Sequence, residues 1–266
     1  MKTVPDMDKV PDADWASGAA SCRCDFSYVP KIPDPYCESG AELVLRMMDE
    51  ASAKAGDAQV ITADALTVGD RLAEKPLRTL AALGYRSVYR IDAGESETPF
   101  DPSYTAQLIA GFCQREQYDL IVMGMESFDE GSRLVPYYLA EHLGLPCITD
   151  AVSLSPAGED RIRISFRLGD DLITETVKTP LVVTVGDVPS CLLRVPTLRQ
   201  RNAAKGNAVQ LVEPAKLDLP APGHGAPRLI RLDTIDQSRQ TQRFEGSAEE
   251  AARKILALCQ ERGISL

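Results

Sequence analysis

The middle of this 266-residue chain alternates segments typical of β-strands with segments typical of α-helices. Short apolar runs are each followed by a stretch whose apolar residues recur at helical spacing. The predicted strands are residues 59–62, 87–91 and 119–124, and the predicted helices are residues 70–83, 103–115 and 132–143. Strands that alternate with helices form a mostly parallel sheet with helices on both faces, so the chain is predicted to be an α/β protein.

The segments outside this core extend the prediction. A helix is expected over residues 38–54, and alternating or β-rich patterns over 161–168, 172–178 and 180–185 indicate an antiparallel excursion from the same sheet. The N-terminus offers hardly any strand before a polar stretch that runs to about residue 35, so the first strand of the sheet is expected to be truncated. We predict one α/β domain over residues 1–212.

Residues 213–266 are predicted to form an extended arm and a helix. The arm is rich in Pro and Gly over residues 217–227, and the helix, residues 247–262, begins with a Ser-Ala-Glu-Glu sequence that is typical of a helix start. A helix tethered by a long arm must either fold back on its own domain or reach a partner chain.

Composition excludes some classes of function. The formal net charge of −10 argues against a broad surface for nucleic acid or for acidic membranes. No apolar run approaches the roughly 20 residues that cross a bilayer, and seven scattered cysteines fit a reducing cytosol, which predicts a cytoplasmic protein. A metal or iron–sulfur site at Cys22, Cys24 and Cys37 stays an alternative, although the chain lacks a Cys-x-x-Cys pair.

The stretch from Met123 to Pro136 has the position of a ligand-binding loop. Ligands of parallel sheets bind beyond the carboxyl ends of the strands, close to the N–H groups that begin the next helix. Gly131 permits close backbone approach, Ser132 is predicted to cap the helix, and Arg133 could bring a guanidinium to a phosphate. An ordinary connection between a strand and a capped helix is the alternative, since no phosphate loop, dinucleotide fingerprint or serine nucleophile elbow is present.

Four stretches of the sequence carry a resemblance to a known family. They are Lys2-Thr3-Val4-Pro5-Asp6, Asp34-Pro35-Tyr36-Cys37-Glu38, the segment from Ala73 to Gly84, and the segment from Gly124 to Gly144, in which Asp129, Leu139, Ala140, Glu141, Leu143 and Gly144 match. In this order and spacing, they resemble the β subunit of electron-transferring flavoproteins, and the chain looks like a divergent member.

The resemblance implies a nucleotide-binding-type fold that is similar to the adenine nucleotide α-hydrolases. It also implies a heterodimer with an α subunit that carries most of the redox FAD and is crossed by the C-terminal arm and helix of this chain. Electrons would pass from a flavoprotein dehydrogenase to that flavin and on to a quinone reductase or similar acceptor. The chain itself would be an electron-carrier subunit without bond-making chemistry.

The cofactor-binding residues that the resemblance implies lie in the N-terminal third and in the loop before residue 136. They are Asp6, Asp34, Tyr36, Ala63, Asp129, Gly131, Ser132, Arg133, Leu134 and Val135. Tyr36 takes the position of the aromatic that approaches the α-bound flavin, and an ordinary buried aromatic is the alternative.

The nucleotide that the family holds in the β subunit is usually a structural AMP. Here Asp34, Gly131 and Leu134 stand where the family has Asn, Asp and Gln. The carboxylate at position 34 and the leucine at position 134 remove donors that a phosphate or ribose needs, which weakens the case for AMP. The backbone N–H groups of residues 132–135 remain available whatever the side chains.

A second site is implied by Val195-Pro196-Thr197-Leu198, which is similar to the loop that docks partner dehydrogenases. Leu198 would be its anchor, and the charges of Arg199, Arg201 and Lys205 would steer the encounter with the partner. A solvated basic loop is the alternative.

Two other functions remain open at the level of the sequence. One is an electron-bifurcating β subunit with a second FAD. The other is a stand-alone adenine-nucleotide enzyme or sensor, although the Ser-Gly-Gly-x-Asp-Ser type of phosphate loop found in adenylating enzymes is absent.

Overall fold

The computed structural model describes residues 1–21, 25–26, 28–53, 60–92, 101–129, 131–217, 219, 231, 233, 241–244 and 246–263. The elements in chain order are β1 (Thr3–Pro5), α1 (Asp12–Ser21), β2 (Lys31–Pro33), α2 (Pro35–Ala53), β3 (Asp64–Val68), α3 (Glu74–Leu83), β4 (Ser87–Ile91), α4 (Pro102–Glu116), β5 (Leu120–Gly124), α5 (Val135–Leu143), β6 (Cys147–Pro156), β7 (Arg161–Leu168), β8 (Asp171–Lys178), β9 (Leu181–Val185), α6 (Leu198–Ala203), β10 (Gln210–Val212) and α7 (Ala248–Glu261). Single 3₁₀ turns lie at Met7–Lys9, Arg71–Ala73, Ala204–Gly206 and Pro214–Lys216.

The strands of the α/β core form two sheets. One has three parallel strands in the order β10-β4-β3, and the other has five in the order β5-β9-β6-β7-β8. In the larger sheet β5, β9 and β6 are parallel, whereas β7 and β8 continue it as an antiparallel hairpin. The predicted α/β class and the antiparallel excursion from the parallel sheet are confirmed. A separate antiparallel pair joins β1 to β2.

Helix α2 packs against both sheets. Leu43 and Met47 belong to the buried cluster of the five-stranded sheet, and Ala41 and Leu45 belong to the cluster that contains β3, β4 and α3. Each pair is spaced by four residues and therefore occupies its own stripe along the helix. One helix thus covers the boundary between the sheets, and α4 and α5 pack together through Ala106, Ala110 and Leu139.

The strand predicted over residues 59–62 is wrong. Residue 59 lies outside the described part of the chain, and residues 60–63 are not strand; the strand is β3, which begins at Asp64. The apolar pair Val60 and Ile61 suggested a strand, but Val60 is 85% exposed and so has no place in a buried sheet. The pairing of Leu66 with Tyr89 of β4 sets the true register.

The helix predicted from Ser132 begins at Val135 instead, and Ser132 is not its N-cap. Gly131 and Arg133 both have positive φ, 60° and 58°, which is incompatible with a right-handed helical start. Leu134 takes the cap position and makes no side-chain capping bond. The N-terminal segment is also more regular than expected, because it contains α1 and the β1–β2 pair.

No helix of the described residues is both long and apolar enough to cross a membrane. The described part of the arm begins on the core rather than away from it. Leu217 is buried beside Leu108 and Phe112 of α4, and a Cβ added at Gly111 would approach the Leu217 carbonyl oxygen to 2.9 Å.

Candidate functional site

The carboxyl ends of β3 and β5 meet at one edge of the fold. The Tyr118 hydroxyl donates to Asp64 at 3.0 Å, which brings together the amino ends of the two strands. At the other ends, the segment from Lys31 to Asp34 contacts both following loops: Lys31 bonds Asp70 at 2.6 Å and Asp34 accepts from Phe128 N–H at 2.8 Å. The two strands therefore run in the same direction, and their carboxyl ends form the edge at which ligands of parallel sheets bind.

Asp34 joins the start of α2 to the loop after β5. Its fully buried carboxylate accepts from the N–H groups of Tyr36 and Cys37 at 3.1 and 3.2 Å, and from Phe128 N–H. Burial raises the pKa of Asp34, although the hydrogen bonds from Phe128 and Cys37 oppose that rise. Because both carboxylate oxygens accept bonds from the protein's own backbone, Asp34 shapes the site and is not free to bind a ribose.

Tyr36, Glu126 and Arg133 form a hydrogen-bonded chain across the mouth of this edge. The Tyr36 hydroxyl donates to Glu126 Oε1 at 2.7 Å, and Arg133 Nε donates to Glu126 Oε2. The hydrogen bond to Glu126 raises the pKa of Tyr36 to about 12, while Arg133 and then Tyr36 lower the pKa of Glu126. Glu126 was not identified from the sequence, where a single Glu in a polar loop carries no distinguishing signal.

In the rest of the loop, the groups that could bind a ligand are backbone N–H groups rather than side chains. Asp129 is paired with Lys2 at 2.8 Å, and Gly131 donates its N–H to Ser127. Ser132 and Leu134 are exposed, and Val135 begins α5. Within the described ranges, the N–H groups of residues 132–135 have no hydrogen-bond partner. Leu134 is at the cap position of α5 and Val135 begins it, so these two N–H groups lie at a helix start, where unengaged N–H groups can bind an anion.

The structure brings Asp34, Tyr36, Asp129 and residues 131–135 to this edge, but not Ala63. Asp6 follows Pro5, which pairs with Lys31, and its carboxylate pairs with Lys9 at 2.8 Å. Ala63 precedes β3 and accepts from Arg86 N–H, so it lies at the opposite, amino edge. Val68, the last residue of β3, and Gly69 after it reach the site; a strand predicted to begin five residues too early concealed them.

The second candidate site is α6 and the segment before it. Thr197 caps α6 and forms a capping box with Gln200. Leu198 is 74% exposed, and Leu192 and Val195 are exposed beside it in the sequence. Arg199, Arg201 and Lys205 are all exposed, so Leu198 and these basic side chains lie on one short, capped helix and the turn after it.

An ion-pair network attaches this segment to α2. Glu42 is buried and accepts from the backbone N–H of Arg194 at 3.1 Å and from its guanidinium at 2.8 Å. Arg46 donates to the Ser190 carbonyl, and Arg194 also pairs with Asp49 at 2.7 Å. Burial alone would raise the pKa of Glu42, but the hydrogen bonds from Arg194 hold it below its ordinary value.

The metal alternative falls mostly outside the described residues. Cys22 and Cys24 lie outside the described residues. The described residues contain no group of three or more His, Cys, Asp or Glu side chains that could hold a metal ion.

Comparison with known proteins gives a consistent result. The family model described as "Electron transfer flavoprotein domain" matches residues 38–217. The chain is 28% identical over 256 residues to a putative electron transfer flavoprotein subunit, YgcR, of Escherichia coli, covering 96% of this chain and 93% of that protein. It is 28% identical to the electron transfer flavoprotein subunit beta of Bacillus subtilis, with 85% of both chains covered. The human subunit beta is 24% identical, with 86% of this chain and 84% of the human protein covered.

Proposed function

This chain belongs to the electron transfer flavoprotein family, and from that premise we propose that it is the β subunit of a heterodimer that carries electrons between a flavoprotein dehydrogenase and a downstream acceptor. The α subunit holds the redox FAD, and this chain positions it and docks the dehydrogenase. The chain makes and breaks no bonds in substrates. The acceptor is a quinone reductase or a protein of similar role, and the pair works in the cytoplasm.

The observation that carries the proposal is the docking segment. Leu198 is an exposed apolar side chain at the start of a capped helix, with Arg199, Arg201 and Lys205 around it. A weak and transient electron-transfer interface needs one anchor for a pocket and charges that steer the encounter. The attachment of Arg194 to Glu42 lowers the entropy lost on docking, because the segment is already held in place.

Tyr36 supports the proposed contact with the flavin. Its ring lies at the mouth of the carboxyl edge and its hydroxyl is committed to Glu126. The Tyr36 hydroxyl is held by the Glu126 carboxylate, whose negative charge is paired with Arg133. The protein's contribution to flavin chemistry is of this kind: binding, orientation and electrostatics.

A nucleotide bound in this subunit would be held by backbone groups alone. The N–H groups of residues 132–135 are unengaged within the described ranges and suit a phosphate, whereas Asp34 and Arg133 already have partners inside the protein. We propose that any AMP bound here is a structural ligand held by these N–H groups. A second FAD, as in a bifurcating subunit, would need the same phosphate contacts.

Co-expression of this chain with the α subunit tests the proposal. We expect a stable yellow heterodimer with one flavin per pair and reversible reduction by a flavoprotein dehydrogenase. Two flavins per pair would instead indicate a bifurcating subunit. A colourless monomer that hydrolyses ATP, or that uses ATP to adenylate a substrate, would contradict both the electron-transfer and the bifurcating subunit. Denaturing the purified pair and assaying the supernatant for AMP decides the nucleotide question separately.

A further inference from the structure

Asp150 lies where strand β6 leaves the parallel part of the larger sheet. The register of β6 against β9 shifts between Ile148 and Ala151, and Asp150, inside this irregularity, has a φ of 55°. Its N–H donates to the hydroxyl of the buried Thr184 at 3.2 Å, which holds the backbone in place. A left-handed conformation costs an aspartate free energy, and such irregularities recur next to active sites, where they redirect a side chain.

The Asp150 carboxylate packs directly on the backbone of Gly186. A Cβ at position 186 would overlap Asp150 Oδ1, so only glycine leaves room for this oxygen. The oxygen is buried and has no hydrogen-bond partner among the described residues. It forms an ion pair with Arg167 Nη1 at 3.6 Å, which is too long for a hydrogen bond. Because a buried carboxylate oxygen without a donor is costly, the charge of Arg167 is what stabilises Asp150 in this position.

Arg167 is anchored on one side and open on the other. Its Nη2 donates to the Asp187 carbonyl at 2.8 Å, and its Nη1 faces Asp150. The Arg167 side chain is 37% exposed, and in the part of the chain that the structure describes its guanidinium has no further partner. A guanidinium carries five N–H donors in a fixed plane, so several remain available for the acceptors of a planar ligand.

This ion pair and Tyr36 lie along the same edge of the larger sheet. Strands β9 and β6 run parallel to β5, and Gly124, Val185 and Ala151 form one row across the three strands. Tyr36 packs on Gly124 at one end of the row, since a Cβ at position 124 would come within 3.1 Å of Tyr36 Cβ. Asp150 adjoins Ala151 at the other end. Neighbouring strands are about 4.8 Å apart, so about 10 Å of sheet edge separates the two ends.

We propose that Arg167, positioned by Asp150, lies beside the flavin of the heterodimer and stabilises the reduced form of that flavin. The inference rests on the proposed function, in which Tyr36 contacts the same flavin. As the reduced flavin of the dehydrogenase is oxidised, its electrons pass to the flavin of the heterodimer, and negative charge develops on the ring that accepts them. A guanidinium that is already held in place stabilises this charge without reorganisation. Asp150 is the positioning residue, because it keeps the guanidinium at the edge.

The reduction potential of the flavin in the purified heterodimer tests this inference. Arg167→Gln should lower the midpoint potential, because the reduced flavin loses a neighbouring positive charge. We expect its affinity relative to the oxidised flavin to fall about tenfold, which is about 30 mV for a two-electron couple. Asp150→Asn should raise the potential, since it removes a negative charge and asparagine tolerates the left-handed backbone. Arg167→Lys keeps the charge and should restore most of the wild-type potential.

Arg163→Gln is the matched control, because Arg163 is exposed and lies on the same face of β7, four residues earlier. It should leave the potential unchanged; equal shifts for Arg163→Gln and Arg167→Gln would overturn the inference. An unchanged potential in Arg167→Gln also contradicts it, even if the pair assembles less well, because Arg167 would then be a subunit contact.

If Arg167→Gln does not fold, Asp150→Asn decides the question, and an unchanged or lowered potential in that variant contradicts the inference. A wild-type heterodimer without flavin would instead reject the proposed function.

Discussion

At the scale of single residues, the site is defined by side chains that bond to the protein itself. Tyr36, Glu126 and Arg133 satisfy one another, and Asp34 is saturated by backbone N–H groups. These contacts make the edge rigid and leave the N–H groups of residues 132–135 as its free donors in the described structure. The loop therefore acts through its shape and its backbone.

The Tyr36 hydroxyl should titrate with a pKa of about 12. An unfolded tyrosine has a pKa of about 10, so the native state retains this proton over a pH range in which the unfolded state loses it. The contribution of Tyr36 to stability is fully present below pH about 10 and is lost as the pH rises through about 12. The measurement is the tyrosinate absorbance of the wild type minus that of Tyr36→Phe.

Glu126→Gln provides the control for this titration. Replacing the carboxylate by a neutral amide removes the charge that disfavours tyrosinate, so the pKa of Tyr36 should fall toward its ordinary value. A Tyr36 pKa that is the same in wild type and Glu126→Gln would refute the assignment of the shift to this hydrogen bond.

At the scale of elements, one predicted helix N-cap is confirmed and another is wrong. The terminal helix was predicted from a Ser-Ala-Glu-Glu start, and α7 does begin after Ser247, with Glu250 completing a capping box. Ser132 has the same side-chain chemistry but caps nothing, because its neighbours Gly131 and Arg133 hold positive φ. Capping needs a compatible backbone, and the tertiary contacts of the loop decided that backbone.

Glu42 fixes the docking segment to α2, and its removal should be costly. Glu42→Gln leaves Arg194 without its buried partner and should reduce the free energy of unfolding by about 2 kcal/mol, less than for a fully buried pair because the Arg194 side chain is partly exposed. Urea denaturation at neutral pH measures the loss. The difference should shrink as the pH falls below about 4, because protonation of a carboxylate whose pKa is depressed removes the same interaction in the wild type.

Asp49→Asn is the matched control for this prediction. It breaks the other ion pair of Arg194, at a carboxylate whose side chain is 64% exposed. Exposed pairs contribute little, so its effect should stay within about 0.5 kcal/mol. A loss for Asp49→Asn as large as that for Glu42→Gln would show that burial of Glu42 is not the source of the stability.

At the scale of the whole molecule, α2 connects the two functional regions. Asp34 and Tyr36 at its N-terminus lie at the carboxyl edge, and about two turns farther along Glu42 holds the docking segment. The same helix packs on both sheets. The proposed flavin contact and the proposed dehydrogenase contact are therefore built on one rigid element.

Leu198→Ala should weaken docking without loss of flavin. Truncating a single central anchor of a small interface typically costs about 2 kcal/mol, so the KM for the dehydrogenase should rise about tenfold or more. Flavin content and Tm should be unchanged, because Leu198 is exposed. Steady-state electron transfer from the dehydrogenase to the heterodimer measures the effect.

Leu192→Ala is the comparison for this substitution, since Leu192 lies in the same segment and is 80% exposed. It should leave the KM close to that of the wild type. An equal increase in KM for both variants would mean that general apolar exposure, and not an anchor at Leu198, drives docking.

The sequence by itself determined the α/β class and most element positions, and it predicted the docking segment. Local patterns suffice for the class and the elements, because apolar periodicity sets strands and helices. Ala63 and Ser132 show the limit, because their assignments depended on the register of β3 and on the backbone of the loop after β5.

Only the tertiary structure decided how distant residues share one site. Glu126 gains its role from Tyr36 and Arg133, and Glu42 gains its role from Arg194, 152 positions away. The division into two sheets likewise follows from strand pairing across the chain. Local sequence patterns encode which elements form, whereas long-range packing sets which unpaired groups those elements bring face to face.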